Sequence, residues 1–272
     1  MQLEEKYQKL QKIIKELESV VVAFSGGVDS TLLLKVAHDV LGDQAIALTS
    51  KSEIHSKQEL KDADQLAESI GAPHHIIYSD ELNNEDFVKN DPERCYYCKK
   101  DKFSAILEFA KENGLKYVLD GSNMSDLDDY RPGMKAIKEL EVRSPLLEAE
   151  MTKEDIRQLS NQLGLPTWNM PSFACLSSRF PYGDKITAEK LEMVDNAEIY
   201  IFDKFDLQQL RVRHHDDETA RIEVLPQDMN KFFENREEIV KYLKGLGYTY
   251  VALDLEGYRT GSMNEVLSEE VK

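Results

Sequence analysis

The residues Val20-Val21-Val22-Ala23-Phe24 run directly into Ser25-Gly26-Gly27-Val28-Asp29-Ser30 and then into a segment of helical spacing. No other feature constrains the chain as much. A short β-branched run without polar interruption reads as a strand buried on both faces. Leu33, Val36, Ala37 and Val40 mark one face of the helix that follows, and Gly42 ends it. Between strand and helix, two adjacent glycines let the backbone approach an anion closely. The helix start offers unpaired N–H groups and the positive end of its dipole. Ser25 and Ser30 add hydroxyls. The Gly-Lys-Ser/Thr ending of a Walker A loop and the G-x-G-x-x-G spacing of dinucleotide binders are both missing. A turn softened by glycine, with Asp29 as N-cap, is the plain alternative. The whole hexapeptide after a buried strand favours a phosphate cradle.

The same alternation continues. Leu3, Tyr7, Leu10, Ile14 and Leu17 predict an amphipathic first helix; Ala45–Thr49 a second strand; Ser56–Ile70 a helix; His75–Tyr78 a third strand. A polar loop follows, then a helix over about 101–112, a fourth strand over Lys116–Asp120, a candidate fifth over Arg143–Leu147, and a helix over Thr152–Leu163. The last opens on Thr152-x-x-Asp155, close to a capping box. Strands alternating with helices to about residue 165 imply an α/β fold with a doubly wound, mostly parallel sheet. Residues 166–186 form a long irregular loop, which points to function. Residues 187–272 predict a small α+β C-terminal domain: a helix (Thr187 to about Phe202), a hairpin (Leu207–His214, Thr219–Leu225), a helix (Asp228–Leu243) and a strand (Tyr248–Asp254). The domain boundaries expected are therefore 1–165, 166–186 and 187–272.

Composition removes several classes of function. With 34 Lys+Arg against 51 Asp+Glu, the net charge of −17 argues against a broad phosphate-gripping face for nucleic acid. No stretch reaches membrane-spanning length, and the N-terminus lacks an apolar signal core, so a cytoplasmic, membrane-free protein is expected. Three cysteines are an odd count, which excludes a complete disulfide framework. Cys95 and Cys98 form a C-x-x-C, and Cys175 lies in the irregular loop. Three thiolates could hold three irons of a 4Fe-4S cluster and leave the fourth open. A zinc site would want a fourth ligand, and three unrelated cysteines remain the bland alternative.

The hexapeptide resembles the pyrophosphate loop of the PP-loop ATP pyrophosphatases. That resemblance implies cleavage of ATP between its α- and β-phosphates, an adenylated substrate, and Mg²⁺ bridging the phosphates. It assigns the nucleotide to Ala23, Ser25, Gly26, Gly27, Asp29, Ser30 and Thr49, and to Asp120, Gly121 and Asn123 after the fourth strand. An Asp-rich solvated loop is the alternative for the latter segment.

A closer resemblance rests on Ala174-Cys175-Leu176-Ser177-Ser178-Arg179-Phe180-Pro181-Tyr182-Gly183. It is extended by Asp129–Gly133, Arg143–Leu146, Arg211-Val212-Arg213 and Gly257–Asn264. These are similar to segments of LarE-type ATP-dependent sulfur transferases. Such enzymes help to build a nickel-pincer nucleotide cofactor by adenylating a carboxylate of a pyridinium dicarboxylate mononucleotide and converting it to a thiocarboxylate. The resemblance implies catalytic roles for Cys175, Asp29, Arg211 and Arg213, and substrate contacts from Arg179, Glu198, Arg211, Arg213 and Arg259. It implies a three-cysteine form in which Cys95, Cys98 and Cys175 hold the cluster, with sulfide or a sulfur donor as partner, and a homo-oligomer. A single-cysteine form gives up the sulfur of its loop cysteine, so the sulfur source stays open. A PP-loop tRNA thiolase and a non-catalytic ATP/AMP sensor are the competing readings. For each arginine the alternative is a surface ion pair, and for Glu198 a plain helix-surface residue.

Overall fold

The computed structural model describes residues 2–128, 131–171 and 175–267, with the side chains of residues 57–61 and 128 left aside. Asp129 and Tyr130, and Ser172, Phe173 and Ala174 of the signature segment, lie outside the described residues.

The chain divides into two compact units, Met1–Glu81 with Cys95–Phe173, and Leu82–Arg94 with Ala174–Lys272. The first holds α1 (Leu3–Leu17), β1 (Val20–Ala23), α2 (Val28–Leu41), β2 (Ala45–Lys51), α3 (Lys57–Ile70) and β3 (His74–Tyr78). After α4 (Glu85–Val88), which belongs to the second unit, come α5 (Arg94–Glu112), β4 (Tyr117–Leu119), α6 (Gly133–Glu139), α7 (Pro145–Glu148) and α8 (Lys153–Gln162). The sheet order is β3-β2-β1-β4, and every pairing is parallel. Side chains alternate across it, as strand geometry requires. Val20, Val22, Ala45 and Ala47 join the core with α1, α2 and α8. Val21, Ala23, Leu48 and Val118 join Phe103 and Ile106 of α5 and Ile137 of α6. Both faces are thus covered, which is why β1 carries no polar residue.

Three expectations are corrected. The anticipated fifth strand is a single parallel bridge between Arg143 and Leu119, after which Pro145 starts α7. Proline sets the φ of a first helical turn and lacks the N–H that a ladder needs. The segment carrying Cys95 and Cys98 is not loop but the first two turns of α5. The helix expected over 228–243 is broken at Asn235 into α10 (Met229–Glu234) and α11 (Arg236–Gly245).

In the second unit, α9 (Ala188–Lys204), β5 (Leu210–His215), β6 (Thr219–Val224) and β7 (Tyr250–Leu253) surround a small core of Ala197, Ile201, Val212, Ile222, Phe232 and Leu243. β5 and β6 are antiparallel, while β7 joins β6 in parallel. No helix among the described residues is long and apolar enough to cross a membrane.

Candidate functional site

In an open parallel sheet, ligands bind beyond the carboxyl ends of the strands, at the point where the strand order reverses. Here the chain leaves β1 for β2 on one side and later returns to β4 on the other. The loops after β1 and β4 therefore meet at one rim. Gly26 has φ +74°, and an added Cβ would lie 3.2 Å from the Ala63 backbone of α3. Both facts require glycine. Ser25 and Ser30 hydroxyls lie 3.1 Å apart, and Ser30 Oγ donates to the Gly27 carbonyl at 3.2 Å. Gly27, not Asp29, is the N-cap of α2, because the first intrahelical bond runs from Thr31 N–H to Gly27 O at 2.9 Å. Asp29 is left on the first turn, and the amides of Val28, Asp29 and Ser30 have no intrahelical acceptor. Ala23 closes β1, and Thr49, buried in β2, donates to Phe24 O at 2.8 Å. A left-handed glycine, first-turn amides and two hydroxyls fit a pyrophosphate group.

The loop after β4 completes this rim. A Cβ on Gly121 would lie 3.2 Å from Asp29 Cβ and 3.3 Å from Ser30 N, so only glycine lets the two loops touch without displacement. Asn123 Nδ2 donates to Asp29 Oδ1 at 3.4 Å. Asp120 is buried, and Ser122 and Ser144 each donate to it at 2.5 Å.

Two lysines escaped the sequence reading. Lys153 Nζ donates to Asp29 Oδ2 at 2.6 Å, and Lys99 Nζ lies 3.7 Å from Asp120 Oδ2. The only available signals were the capping box beside Lys153 and the C-x-x-C one residue before Lys99. Lys99 also ties the cysteine helix to this rim. A Cβ on Gly133 would lie 2.6 Å from Lys99 Cδ and 3.2 Å from Cys95 O.

Cys95 and Cys98 stand one turn apart on α5, a spacing that puts both on one helix face. Cys95 is exposed and Cys98 half-buried, as is Cys175, which precedes the Leu176–Arg179 turn of the second unit. Thiolates are the ligand type that iron–sulfur clusters take. Among the described residues, no three His, Cys, Asp or Glu side chains are grouped as metal ligands.

The second unit gathers most of the remaining predicted residues. Arg211 lies opposite Glu223 and Arg213 opposite Arg221, so one sheet face is charged while Val212 and Ile222 face the apolar core. Arg213 pairs with the wholly buried Glu223 at 2.6 Å and donates to Ser178 O at 3.1 Å and to Ser262 Oγ at 3.0 Å. Arg179 donates to both oxygens of Glu198, at 2.9 and 2.7 Å, and Glu198 Oε1 also accepts from Val212 N–H at 2.8 Å. Glu198 is thus a buried anchor and not a surface helix residue. Burial, and next the neighbouring Arg179 charge, hold the Arg211 guanidinium down to about 10. Arg259 instead pairs with Glu256 and Glu265, at 3.1 Å each.

A clamp that the sequence did not announce secures the signature loop. Asn90, fully buried at φ +55°, donates to Pro181 O at 2.7 Å and Asp184 O at 3.1 Å, and its own carbonyl accepts from Gly183 N–H at 2.9 Å. Arg94 donates to Asn90 Oδ1 at 2.5 Å and to Ser177 O at 2.8 Å. Arg94 immediately precedes Cys95, and Ser177 stands two residues beyond Cys175.

The NAD synthase family model matches residues 3–92, the part that carries the phosphate loop. An uncharacterized protein of Synechocystis sp. is 44% identical over 98% of this chain and all of its own length. The pyridinium-3,5-bisthiocarboxylic acid mononucleotide synthase of Lactiplantibacillus plantarum is 41% identical over 94% of this chain and 92% of its own. A tRNA-specific 2-thiouridylase of Xanthobacter autotrophicus is 29% identical, but over only 56% of this chain and 49% of its own.

Proposed function

The chain belongs to the LarE-type sulfur transferases, and from that premise we propose that it converts a carboxylate of a pyridinium mononucleotide into a thiocarboxylate at the expense of ATP. The observation that carries the reading is the meeting of three segments at one sheet rim. The phosphate loop, Gly121 of the β4 loop, and the cysteine helix through Lys99 all reach it.

The proposed chemistry has two displacements. A substrate carboxylate oxygen attacks the α-phosphorus of ATP, and the bond to the β-phosphate oxygen breaks. Gly26, Gly27, Ser25, Ser30 and the first-turn amides of α2 hold the departing pyrophosphate, and Asp29 and Asp120 are the carboxylates of this rim that would hold a Mg²⁺, which would neutralise phosphate charge when bound. A sulfur nucleophile then attacks the acyl carbon, and the electron pair leaves with AMP. Arg211 and Arg213 supply guanidinium groups for the substrate's phosphate or carboxylate, a role their planar fork suits. Glu223 holds Arg213 directly, and Glu198, which pairs with Arg179, accepts from the Val212 N–H between the two arginines and so fixes their strand.

For the sulfur, we assign Cys95, Cys98 and Cys175 as thiolate ligands of a 4Fe-4S cluster whose open iron presents sulfide when bound. The reading is supported by the count and type of ligand, since a C-x-x-C and one loop cysteine supply three thiolates for three irons and leave the fourth open. The acceptor is a small molecule and not tRNA. The net charge of −17 disfavours a nucleic-acid face, and the thiouridylase likeness spans only about half of each chain.

Anaerobic purification tests the assignment. The native chain is expected to be brown, to contain iron and labile sulfide, and to release pyrophosphate when given ATP and the pyridinium dicarboxylate mononucleotide. Cys95→Ala should lose the iron but still adenylate. Colourless native protein that makes thiocarboxylate once per chain, with Cys175 losing the elements of H₂S by mass spectrometry, would replace the cluster by a sacrificial thiol. Absence of substrate-dependent pyrophosphate would remove the enzymatic reading altogether.

A further inference from the structure

His74 opens β3 opposite Ala47, so its side chain shares one face of the sheet with Thr49, two residues beyond Ala47 in β2. Thr49 Oγ1 lies 2.8 Å from Phe24 O and 2.8 Å from His74 Nε2. A carbonyl only accepts, so the single hydroxyl proton goes to Phe24, and the Nε2–H donates to Oγ1. On its other side His74 Nδ1 faces Asp64 Oδ1 of α3 at 3.0 Å, and a carboxylate also only accepts. Both ring nitrogens are therefore donors in this arrangement. The rings of Phe24 and His74 meet edge to face, with centroids 6.0 Å apart.

The line from Asp64 through His74 and Thr49 ends where the phosphate loop begins. Phe24 precedes Ser25, and its N–H is bonded to Leu48 O at 2.9 Å. α3 meets the same loop a second time, one residue before Asp64, because the Ala63 backbone is what a Cβ on Gly26 would strike at 3.2 Å. Phe24, Gly26, Ala63, Asp64, His74 and Thr49 thus close a circuit around the entrance to the loop. Stability is a poor reason for it. The Asp64 side chain is 71% exposed, and an ion pair with a partner in solvent contributes about 0–1 kcal/mol. Anion binding by backbone amides, in contrast, gains from having those amides held in place before the ligand arrives.

We propose that His74 is a positioning residue of the nucleotide site. It turns the Thr49 hydroxyl onto Phe24 O and, through Asp64, holds α3 against Gly26, which presets the backbone of Ser25–Gly27 for a pyrophosphate group. The proposal rests on the reading of Ser25–Ser30 as a pyrophosphate cradle, and the test separates the two.

Binding of inorganic pyrophosphate is measured by calorimetry in magnesium buffer, at a temperature where circular dichroism shows each protein folded. The proteins are the native chain, His74→Leu, His74→Gln, Asp64→Ala, Thr49→Val and the double variant His74→Leu/Thr49→Val. His74→Leu should weaken pyrophosphate about tenfold, equal to about 1.4 kcal/mol. His74→Gln offers an amide N–H to Thr49 in place of Nε2 and should stay within about threefold of the native chain. Thr49→Val should lose as much as His74→Leu, and the double variant should lose little beyond either, because both act through one hydroxyl. Asp64→Ala changes a side chain that lies largely in solvent and should cost about threefold. It carries the test if the buried substitutions do not fold. Unchanged affinity in His74→Leu or in Asp64→Ala, equal losses in His74→Gln and His74→Leu, or additive losses in the double variant would each overturn the proposal. A native chain that binds no pyrophosphate would overturn the cradle itself.

Discussion

In the N-terminal unit β1 is apolar on both faces, and the charged groups of the candidate site stand in loops and helix starts beyond the strand ends. In the C-terminal unit the strands themselves carry the charge. Arg211, Arg213 and Glu223 are all buried on one face of the sheet whose other face is its hydrophobic core. The first arrangement keeps the scaffold and the site energetically separate. The second merges them, since a buried ion pair recovers its desolvation cost only when the geometry and the extra hydrogen bonds are good. Arg179 and Glu198 meet that condition with two paired contacts and a third bond from Val212. Retaining so costly a cluster in a small unit is intelligible if it holds anion-binding groups in fixed positions.

The largest expected effect follows directly. Glu198→Ala leaves Arg179 buried without its carboxylate, which should cost about 3–5 kcal/mol. Denaturant unfolding checks this. The paired replacement Arg179→Met/Glu198→Leu should recover much of that loss while abolishing thiocarboxylate formation. If the paired replacement stays active, the charged face is scaffold alone and the contrast between the units disappears.

Acid should destabilise both units, and histidines permit a separate reading of each. Burial first, and the Lys102 charge second, push His55 down to about 3. Burial, then Lys190, lowers His214, and burial, then Arg221, lowers His215. Between a folded value near 3 and an unfolded value of about 6.5, the unfolded chain binds the proton that folded His55 refuses. Stability therefore falls as pH drops through 6.5. From pH 7 to 5 His55 alone should account for about 2 kcal/mol. The only Trp, Trp168, lies in the first unit, so its fluorescence follows that unit. His55→Gln should flatten the acid slope seen by Trp168, and His214→Gln should not. An equal response to both substitutions would mean that the units unfold as one.

Next in size is Gly26→Ala. A left-handed backbone costs a non-glycine residue about 1–2 kcal/mol, and the new Cβ would press on Ala63 at 3.2 Å. Pyrophosphate release should fall far more than stability does, because the displacement falls on the cradle itself and reaches the core only at Ala63. Retained activity with a lowered melting temperature would make Gly26 a packing glycine only.

The sequence was most legible where one physical signal dominates. The β-branched runs and glycine stops marked β1, β2, α2 and α3, and the alternation of Arg211 with Arg213 announced a charged strand face. Legibility failed where a tertiary partner decides. Whether Arg143 extends a strand depends on Leu119 beside it and on Pro145 two residues later. Asn90, Arg94, Lys99 and Lys153 are ordinary polar residues until folding brings Pro181, Ser177, Asp120 and Asp29 within reach of them. The insertion of Leu82–Arg94 into the second unit leaves no trace in composition or period.

The smallest effect probes how the first unit holds its site. Thr152 accepts from Asp155 N–H at 3.2 Å and donates to Asp155 Oδ2 at 2.7 Å. Losing an N-cap of this kind costs about 1 kcal/mol, and Thr152→Ala should lower the urea midpoint accordingly. Thr152→Ser keeps the cap and should change little. If loops and helix starts carry the nucleotide chemistry of this unit, Thr152→Ala should also weaken pyrophosphate binding, because its neighbour Lys153 reaches Asp29 on the first turn of α2. A variant that loses the expected stability yet binds pyrophosphate as the native chain does would show that the start of α8 need not be fixed for the cradle to work.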